Sequence, residues 1–579
     1  MYILGINAYH GDSSACLIKD GNVVCACEEE RITRVKHWAG FPIQSIRFCL
    51  DDQKISIKDI DYITISRDPK ANIFKKIIYT IKNHTNLNNL RKRFNNALQI
   101  SSIKNKISEG LRIPKHNIKA KIFNIEHHRS HLASSFFASK FDKSAVVSID
   151  GFGDFTSTMT AIGIDNKLKV IKTVNYPHSI GIFYTAATQF LGFKNYGDEY
   201  KVMGLASYGE PIYCERVKKI INQDENFFKL SLKYFSHDNI FIDYNFESGS
   251  PYFGDLYSEK LEKLFGKPRL INEPISKFHK DLAASFQKVF EDIIINKLVS
   301  LNKKFKIDKL CLSGGCVFNS TLNGKVLQNT NFKEVYFSPN PGDAGGSVGA
   351  ALYHAIKKDE KIEINHSPFL GPFYSNEYVE QNIVNKFKFN KKFKITYFEN
   401  EENLNDKVTD CLINSEGVVG WFQDRMEWGP RALGNRSILG DPRNSEIREI
   451  INFKIKKREE FRPFAPSILE EYKDQYFHMK AISPYMSSTF KVKDISRNRI
   501  PGVVHVDGTS RVQTVNKDFN KKFYNLISNF NQKTNVPVLL NTSLNVNEPI
   551  CENPENAFEI FSKTSMDMIV IQNWIFEKN

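Results

Sequence analysis

The chain opens on an alternation of apolar and polar positions, YILGINAYHGDSSACLIKDGNVVCACEEE, that predicts strand, loop, strand, Asp-Gly turn and strand. A second unit of the same kind starts at Ser144, with the apolar run SAVVSID, the loop GFGD, and strand patterns through STMTAIGI and KLKVIKTV. The echo predicts a duplicated half. Helical periodicity dominates from Ile275 to Asn302. Strand, loop and helix follow twice, in DKLCLSGGCVFNSTLNGKVL and EVYFSPNPGDAGGSVGAALYHAI, which predicts α/β layers. Near Lys357 the pattern changes to the polar stretch KKDEKIEINHSPFLGPFY. Helix-like EENLNDKVTDCLINSEG and the apolar strand VVGWF then begin another domain, closed by NVPVLLNTS and MDMIVIQNWIF. The expected division is 1–360, a connection over 361–390, and 391–579.

Composition adds limits. At 579 residues the chain exceeds a single core, and 41% hydrophobic with 12% aromatic residues describes packed domains. No run of about eighteen apolar residues predicts a membrane span. The N-terminus reads as a strand, not a leader, and the nine cysteines form no C-x-x-C ladder, so a reduced, cytoplasmic protein is expected. The net charge of +15 is concentrated: residues 66–121 hold 14 Lys/Arg against 2 Asp/Glu. Within this basic insertion IFKKIIYTIKN and LRKRFNNALQ predict basic amphipathic helices. Such a collar would attract an anionic acceptor, nucleic acid or an acidic membrane face. No nucleic-acid motif accompanies it, so a solvated insertion is the favoured reading and nucleic acid is not an expected partner.

Candidate chemistry begins at NIEHHRSHLASSFF. On a helix, His127 and His131 point at one spot, and the following strand ends in Asp150. Two imidazoles and a carboxylate suit zinc or iron. Asp343, in the loop Gly342-Asp343-Ala344-Gly345-Gly346, offers a fourth ligand, and an open shell of four favours iron over closed tetrahedral zinc. That loop and Ser313-Gly314-Gly315 each follow a strand and precede a helix, where backbone amides can approach a phosphate. His10 and Asp12, in AYHGDSSA, are the candidate catalytic pair, the histidine accepting a proton from an attacking hydroxyl.

The second domain carries the densest basic constellation, WFQDRMEWGPRALGNRSILGDPRN and INFKIKKREEFRPFAPS. Its Arg431, Arg436, Arg443, Lys456, Arg458 and Arg462 alternate with Gly, Pro, Trp and Phe, as in a lined pocket for phosphates. Arg511, Asn541 and Ser543 are candidate adenylate contacts farther on.

At these residues, and at EEERITRVKH, SIDGFGD, GDEYKVMGLASYG, SGGCVFNSTLN, GPRALGNRSIL and KKREEFRPFAP, the chain resembles the nodulation-type O-carbamoyltransferases, which include the tobramycin and cephamycin enzymes. The resemblance implies an actin/sugar-kinase-like, duplicated N-terminal domain and a YrdC-like α/β C-terminal domain. It implies two reactions: carbamoyl phosphate and ATP, with Mg2+, give carbamoyladenylate, and the carbamoyl group then passes to a hydroxyl of a sugar-like or natural-product acceptor. An internal passage between two sites would keep water from the intermediate. The same resemblance implies Fe2+ or another divalent transition metal on His127, His131, Asp150 and Asp343. It implies substrate binding by Arg431, Arg436, Lys456, Arg458 and Arg462. Gly151, Gly314 and Gly315, with Lys201 and Asn319 in the same motifs, complete the nucleotide-contact candidates. The first loop departs from the commoner His-Asp-Ala-Ser. A sugar kinase of the same fold has no use for the histidine pair or the arginines. A tRNA threonylcarbamoyl-type transferase and a nucleotide-responsive scaffold compete with the carbamoyltransferase reading. A homodimer is the default assembly. Acceptor choice would lie in 66–121 and in the Tyr213–Pro268 segment, with Tyr234, Phe235, Phe241, Tyr244, Tyr252 and Phe253 as candidate sugar-stacking rings.

Overall fold

A computed structural model describes residues 1–82, 102–225, 227–238, 249–358, 361–363, 367–414, 417–459 and 461–579. The chain separates into two compact units, Met1–His366 and Ser367–Asn579. The boundary differs from the expected connection over 361–390. Residues 376–387, assigned to it by their Pro- and Gly-rich surroundings, are helical in the second unit.

The opening hairpin forms as the alternation predicts. Strands β1 (Tyr2–Asn7), β2 (Ser14–Lys19) and β3 (Asn22–Glu28) pair antiparallel. Asp20 and Gly21 both take positive φ, 48° and 81°, as a tight primed turn requires. Strands β4 (Tyr62–Ile65) and β5 (Lys121–Asn124) extend the sheet in parallel, giving the order β3-β2-β1-β4-β5. The second sheet repeats this plan. Strands β6 (Lys143–Gly153), β7 (Thr156–Ile164) and β8 (Lys167–Asn175) form the antiparallel arm. After a separate hairpin of β9 (Ile221–Asp224) and β10 (Phe227–Leu230), strands β11 (Lys309–Ser313) and β12 (Glu334–Phe337) add in parallel. The order β8-β7-β6-β11-β12 matches the first sheet position for position, so the N-terminal unit is the expected actin/sugar-kinase-like duplication.

Two helices occupy the centre of this unit. The Gly345–Lys357 helix lies on β1, β2 and β4, the His127–Phe136 helix lies on β6, β7 and β11, and the two pack against each other. Their approach requires Gly349, since a Cβ there would sit 1.8 Å from the carbonyl oxygen of Ser130. The His127–Phe136 helix is buried almost all round although its sequence, HHRSHLASSF, is polar. Its small serines explain this. Ser130, Ser134 and Ser135 return their hydroxyls to carbonyls of their own helix at 2.9–3.3 Å, so these side chains pack closely with their hydroxyls satisfied.

The second unit is built on one mixed nine-stranded sheet. In spatial order its strands are Phe393–Tyr397, Trp574–Lys578, Met568–Ile571, Val418–Phe422, Arg436–Gly440, Val538–Ser543, Ala465–Leu469, Thr509–Val515 and Ser488–Lys491. Among the described residues no helix is long and apolar enough to cross a membrane, and no disulfide forms. The LRKRFNNALQ segment, Phe241 and Tyr244 lie outside the described residues.

Candidate metal centre and arginine site

The Glu126 carboxylate caps the buried helix by accepting from Arg129 N–H at 2.8 Å, and Asp154 accepts from His127 N–H at 2.9 Å. Helical spacing then brings His127 Nε2 and His131 Nε2 to 3.0 Å from each other. The intervening His128 turns away to bond Ser148 and the Thr156 carbonyl, as a structural histidine. Asp150 arrives from β6 where pairing with β7 shifts register, a bulge that aims its carboxylate inward. Its Oδ2 lies 3.0 Å from His127 Nε2 and 3.4 Å from His131 Nε2. Asp343 comes from the loop before the Gly345–Lys357 helix, where the Ser14 hydroxyl donates to the Ala344 carbonyl at 2.7 Å. Its Oδ1 stands 3.5 and 3.4 Å from the same two nitrogens.

Four ligand atoms therefore lie within 4.8 Å of one another, in a buried place. Asp343 Oδ1 and the Nδ1 atoms of both histidines are buried without a hydrogen-bond partner. A two-nitrogen, two-oxygen set converging on one point fits a divalent transition ion. Burial would lower the His131 pKa, but the Asp150 and Asp343 carboxylates beside it push it up to about 10. Burial and the Asp150 charge push Asp343 up to about 6, whereas bonds from both histidines overcome burial and hold Asp150 well below the usual carboxylate range.

His10 stacks on His127 with ring centroids 4.8 Å apart, and its Nδ1 is 3.7 Å from Asp343 Oδ2. Burial, then the Arg67 charge, hold its pKa well below the ordinary value, so the ring is neutral and able to take a proton. Asp12 is placed differently from the expected pairing with His10. In a left-handed conformation (φ 57°) it bonds His37 Nδ1 at 2.7 Å, grouping with His37 and Glu30. Sequence reasoning had no signal for Tyr196, whose hydroxyl would meet a Cβ at Gly11 at 2.3 Å and whose ring stands edge-on to His37. It also passed over Asp154, visible only as the last letter of GFGD.

The expected nucleotide contacts of this unit divide. Gly314 (φ 93°) sits against the Ile149 carbonyl, where only glycine fits, and the Gly315 amide is taken by Asp150 Oδ1 at 2.9 Å. Gly151 faces open space, with its carbonyl bonded by Ser179. Asn319 caps the Ser320–Asn329 helix and bonds Gln287, and Lys201 pairs with Asp198 at 3.1 Å. Of the proposed stacking rings, Phe235 is buried, Tyr252 is exposed, and Phe253 packs on Tyr196 at 5.5 Å.

In the second unit Arg431, Arg458 and Arg462 stand close enough to Arg511 for their charges to act on it; all four are half-buried, and Arg462 also pairs with Glu459 at 3.7 Å. Burial and then the charges of Arg431, Arg458 and Arg462 hold Arg511 well below the usual guanidinium range, and its Nε is buried without a partner. Burial and Arg462 lower Arg431 to about 10. Arg458 stacks 4.3 Å over Phe464 and donates to Asn452.

Two expected substrate ligands, Arg436 and Lys456, direct their donors largely to main-chain carbonyls. Arg436 is fully buried 3.6 Å over the Phe422 ring, and its guanidinium donates to the carbonyls of Gln423, Asn435, Pro372 and Asp424 at 2.6–3.2 Å. Lys456 Nζ donates to the Ser543 and Asn545 carbonyls and to Asn545 Oδ1 at 2.6, 2.8 and 2.7 Å. The Ser543 hydroxyl is also turned inward, to Asn545 Oδ1. Asn541 donates to Ala432, Ser467 and Gln513, and Arg443 pairs with Asp441. Glu427, not singled out in the sequence, shapes the GPRALGNR loop by accepting from the amides of Leu433, Asn435 and Arg436 at 2.8–3.0 Å.

Two family models match the chain: the carbamoyltransferase N-terminus over residues 2–352 and the carbamoyltransferase C-terminus over residues 411–578. The protein sll1178 of Synechocystis sp. is 36% identical over 100% of this chain and 97% of its own length. The nodulation protein NolNO of Sinorhizobium fredii is 33% identical over 99% of this chain and 80% of its own length. Among solved structures, T.kodakarensis HypF aligns over 63% of this chain and 49% of its own, at 13% identity and a TM-score of 0.31.

Proposed function

Because the chain belongs to the carbamoyltransferase family, we propose that it is an ATP-dependent O-carbamoyltransferase working in two steps. In the second unit, carbamoyl phosphate, ATP as its Mg2+ complex and one water yield carbamoyladenylate, phosphate and pyrophosphate. In the first unit the carbamoyl group passes to an acceptor hydroxyl, leaving AMP.

The observation that carries this reading is the convergence of Arg431, Arg458, Arg462 and Arg511. Four half-buried guanidinium groups whose charges act on one another gather positive charge at one place, which an anion of several charges would complement. Polyphosphate and carbamoyl phosphate bring that charge. Arg436, Lys456 and Glu427 hold the loops from which the arginines project, and are positioning residues.

In the first unit, a divalent transition metal, Fe2+ in the first instance, held by His127, His131, Asp150 and Asp343 would supply Lewis acidity toward an adenylate oxygen. Neutral His10 would take the acceptor proton as the hydroxyl attacks the carbamoyl carbon. Burial around His10 and the four ligands keeps bulk water from competing with the acceptor. Tyr196 and Phe253, at the edge of the first loop, offer an aromatic face for the acceptor.

The test needs no acceptor. Purified protein with ATP, Mg2+ and carbamoyl phosphate is expected to release pyrophosphate only when carbamoyl phosphate is present. ADP as the nucleotide product would replace this reading with a kinase, and no turnover in a folded, metal-loaded sample would favour a nucleotide-responsive scaffold.

A further inference from the structure

The Ile73–Lys82 helix is built inside out. At about 100° per residue, Ile73, Ile77, Ile81, Phe74 and Ile78 fall on one continuous arc of about 140°. In a surface helix that arc normally faces the core. Here it faces solvent, the five side chains being 46–79% exposed. The opposite side holds the helix to the protein. Tyr79 packs edge-on against Phe155 and Tyr176 at 5.9 and 5.0 Å, and Lys75 Nζ donates to Asn175 Oδ1 at 3.2 Å. Lys76 Nζ donates to the Pro69 carbonyl, and Asn72, just before the helix, donates to the Asp154 carbonyl at 3.0 Å.

From this geometry we propose that the helix docks on an anionic lipid bilayer, lying in the headgroup plane with its apolar arc inserted. Charge selects this occupant. The helix itself carries Lys75, Lys76 and Lys82 and no acidic residue, and Lys82 borders the arc. A second copy of the chain would bring the same positive charge against itself. Ten residues, about 15 Å of helix, also present too little area for a stable dimer. A nucleic acid would take the lysines but leave five large apolar side chains in water. An acidic membrane surface accepts both, and a helix with Lys beside a Phe/Ile face has the composition of an interfacial anchor. Asn72 ties the helix to the loop of Asp154, whose carboxylate caps His127, so docking would anchor the first unit beside that loop.

The experiment is co-sedimentation of the full chain with vesicles of phosphatidylcholine alone or mixed with phosphatidylglycerol. The expected result is partitioning about tenfold stronger onto the anionic vesicles, weakened by high salt. It should be lost when Phe74→Asp and Ile78→Asp are combined. The milder pair Ile77→Ser and Ile81→Ser should weaken it too, with melting temperature reporting that each variant is folded. No preference for anionic vesicles, or binding that survives both pairs, overturns the proposal. So does a lipid-free oligomer that the Asp pair dissociates, or binding of an RNA duplex probe without binding of vesicles.

Discussion

Replacing Lys456 by methionine separates a scaffold role from a substrate role. The ammonium is 2% exposed and donates to two carbonyls and an amide oxygen of the Ser543–Asn545 loop within 2.8 Å. Methionine fills similar volume but donates nothing. Each stranded acceptor costs about 1–3 kcal/mol. Loss of the buried cation's own desolvation cost offsets part of this, leaving a net destabilisation of about 3–5 kcal/mol, typical of breaking a buried charged contact. For a unit the size of 367–579, each kcal/mol is worth about 2–4 °C, so its melting transition should fall by about 6–20 °C. Differential scanning calorimetry of the full chain reads this directly. Carbamoyl-phosphate-dependent pyrophosphate release, measured below the new transition, should persist. An unchanged melting temperature with abolished pyrophosphate release would show Lys456 Nζ facing substrate, and would refute the scaffold assignment.

Arg511→Met should do the opposite: relief of repulsion from Arg431, Arg458 and Arg462 stabilises the ligand-free protein by on the order of 1 kcal/mol, while pyrophosphate release and thermal stabilisation by ATP disappear. A fall in ligand-free stability would contradict a cluster under mutual repulsion. Gly349→Ala puts a methyl into the Ser130 carbonyl. It should cost about 1–3 kcal/mol by calorimetry and weaken Fe2+ or Co2+ binding, read by metal titration, because the helices carrying His131 and following Asp343 must separate; unchanged affinity would uncouple that contact from the cluster. The Asp12 charge and hydrogen bond, outweighing burial, raise His37 from 6.5 to about 9. A raised folded pKa means that this pair's stabilisation is complete below pH 6.5 and is lost as pH rises through about 9. The melting temperature of the wild type should therefore converge on that of Asp12→Asn over this window, and parallel profiles would exclude the pair as a pH-dependent contribution.

Much of the first unit was legible because its signals are local. Alternation gave away β1 to β3, the Asp20-Gly21 turn and the repeat beginning at Ser144, and i, i+4 spacing singled out His127 and His131 over His128. What stayed hidden depended on which partner a polar group finds. Arg436 and Lys456 stand in the same motifs as Arg431 and Arg458, and nothing in residue type separates a cation directed at main-chain carbonyls from one whose charge acts on neighbouring arginines. Asp12 reads as a neighbour of His10, yet a left-handed backbone turns it to His37.

By itself, then, the order of residues determined the strand and helix pattern, the duplicated topology and the histidine pair of the candidate metal centre, since these follow from periodicity and short spacings. The tertiary structure alone decided the rest: that Asp150 and Asp343 meet the histidine pair, that four arginines share one place, and that an amphipathic helix turns its apolar face outward. Each of these depends on contacts between residues far apart in the chain, whose free energy is settled only when both sides of a contact have been brought together and their water removed.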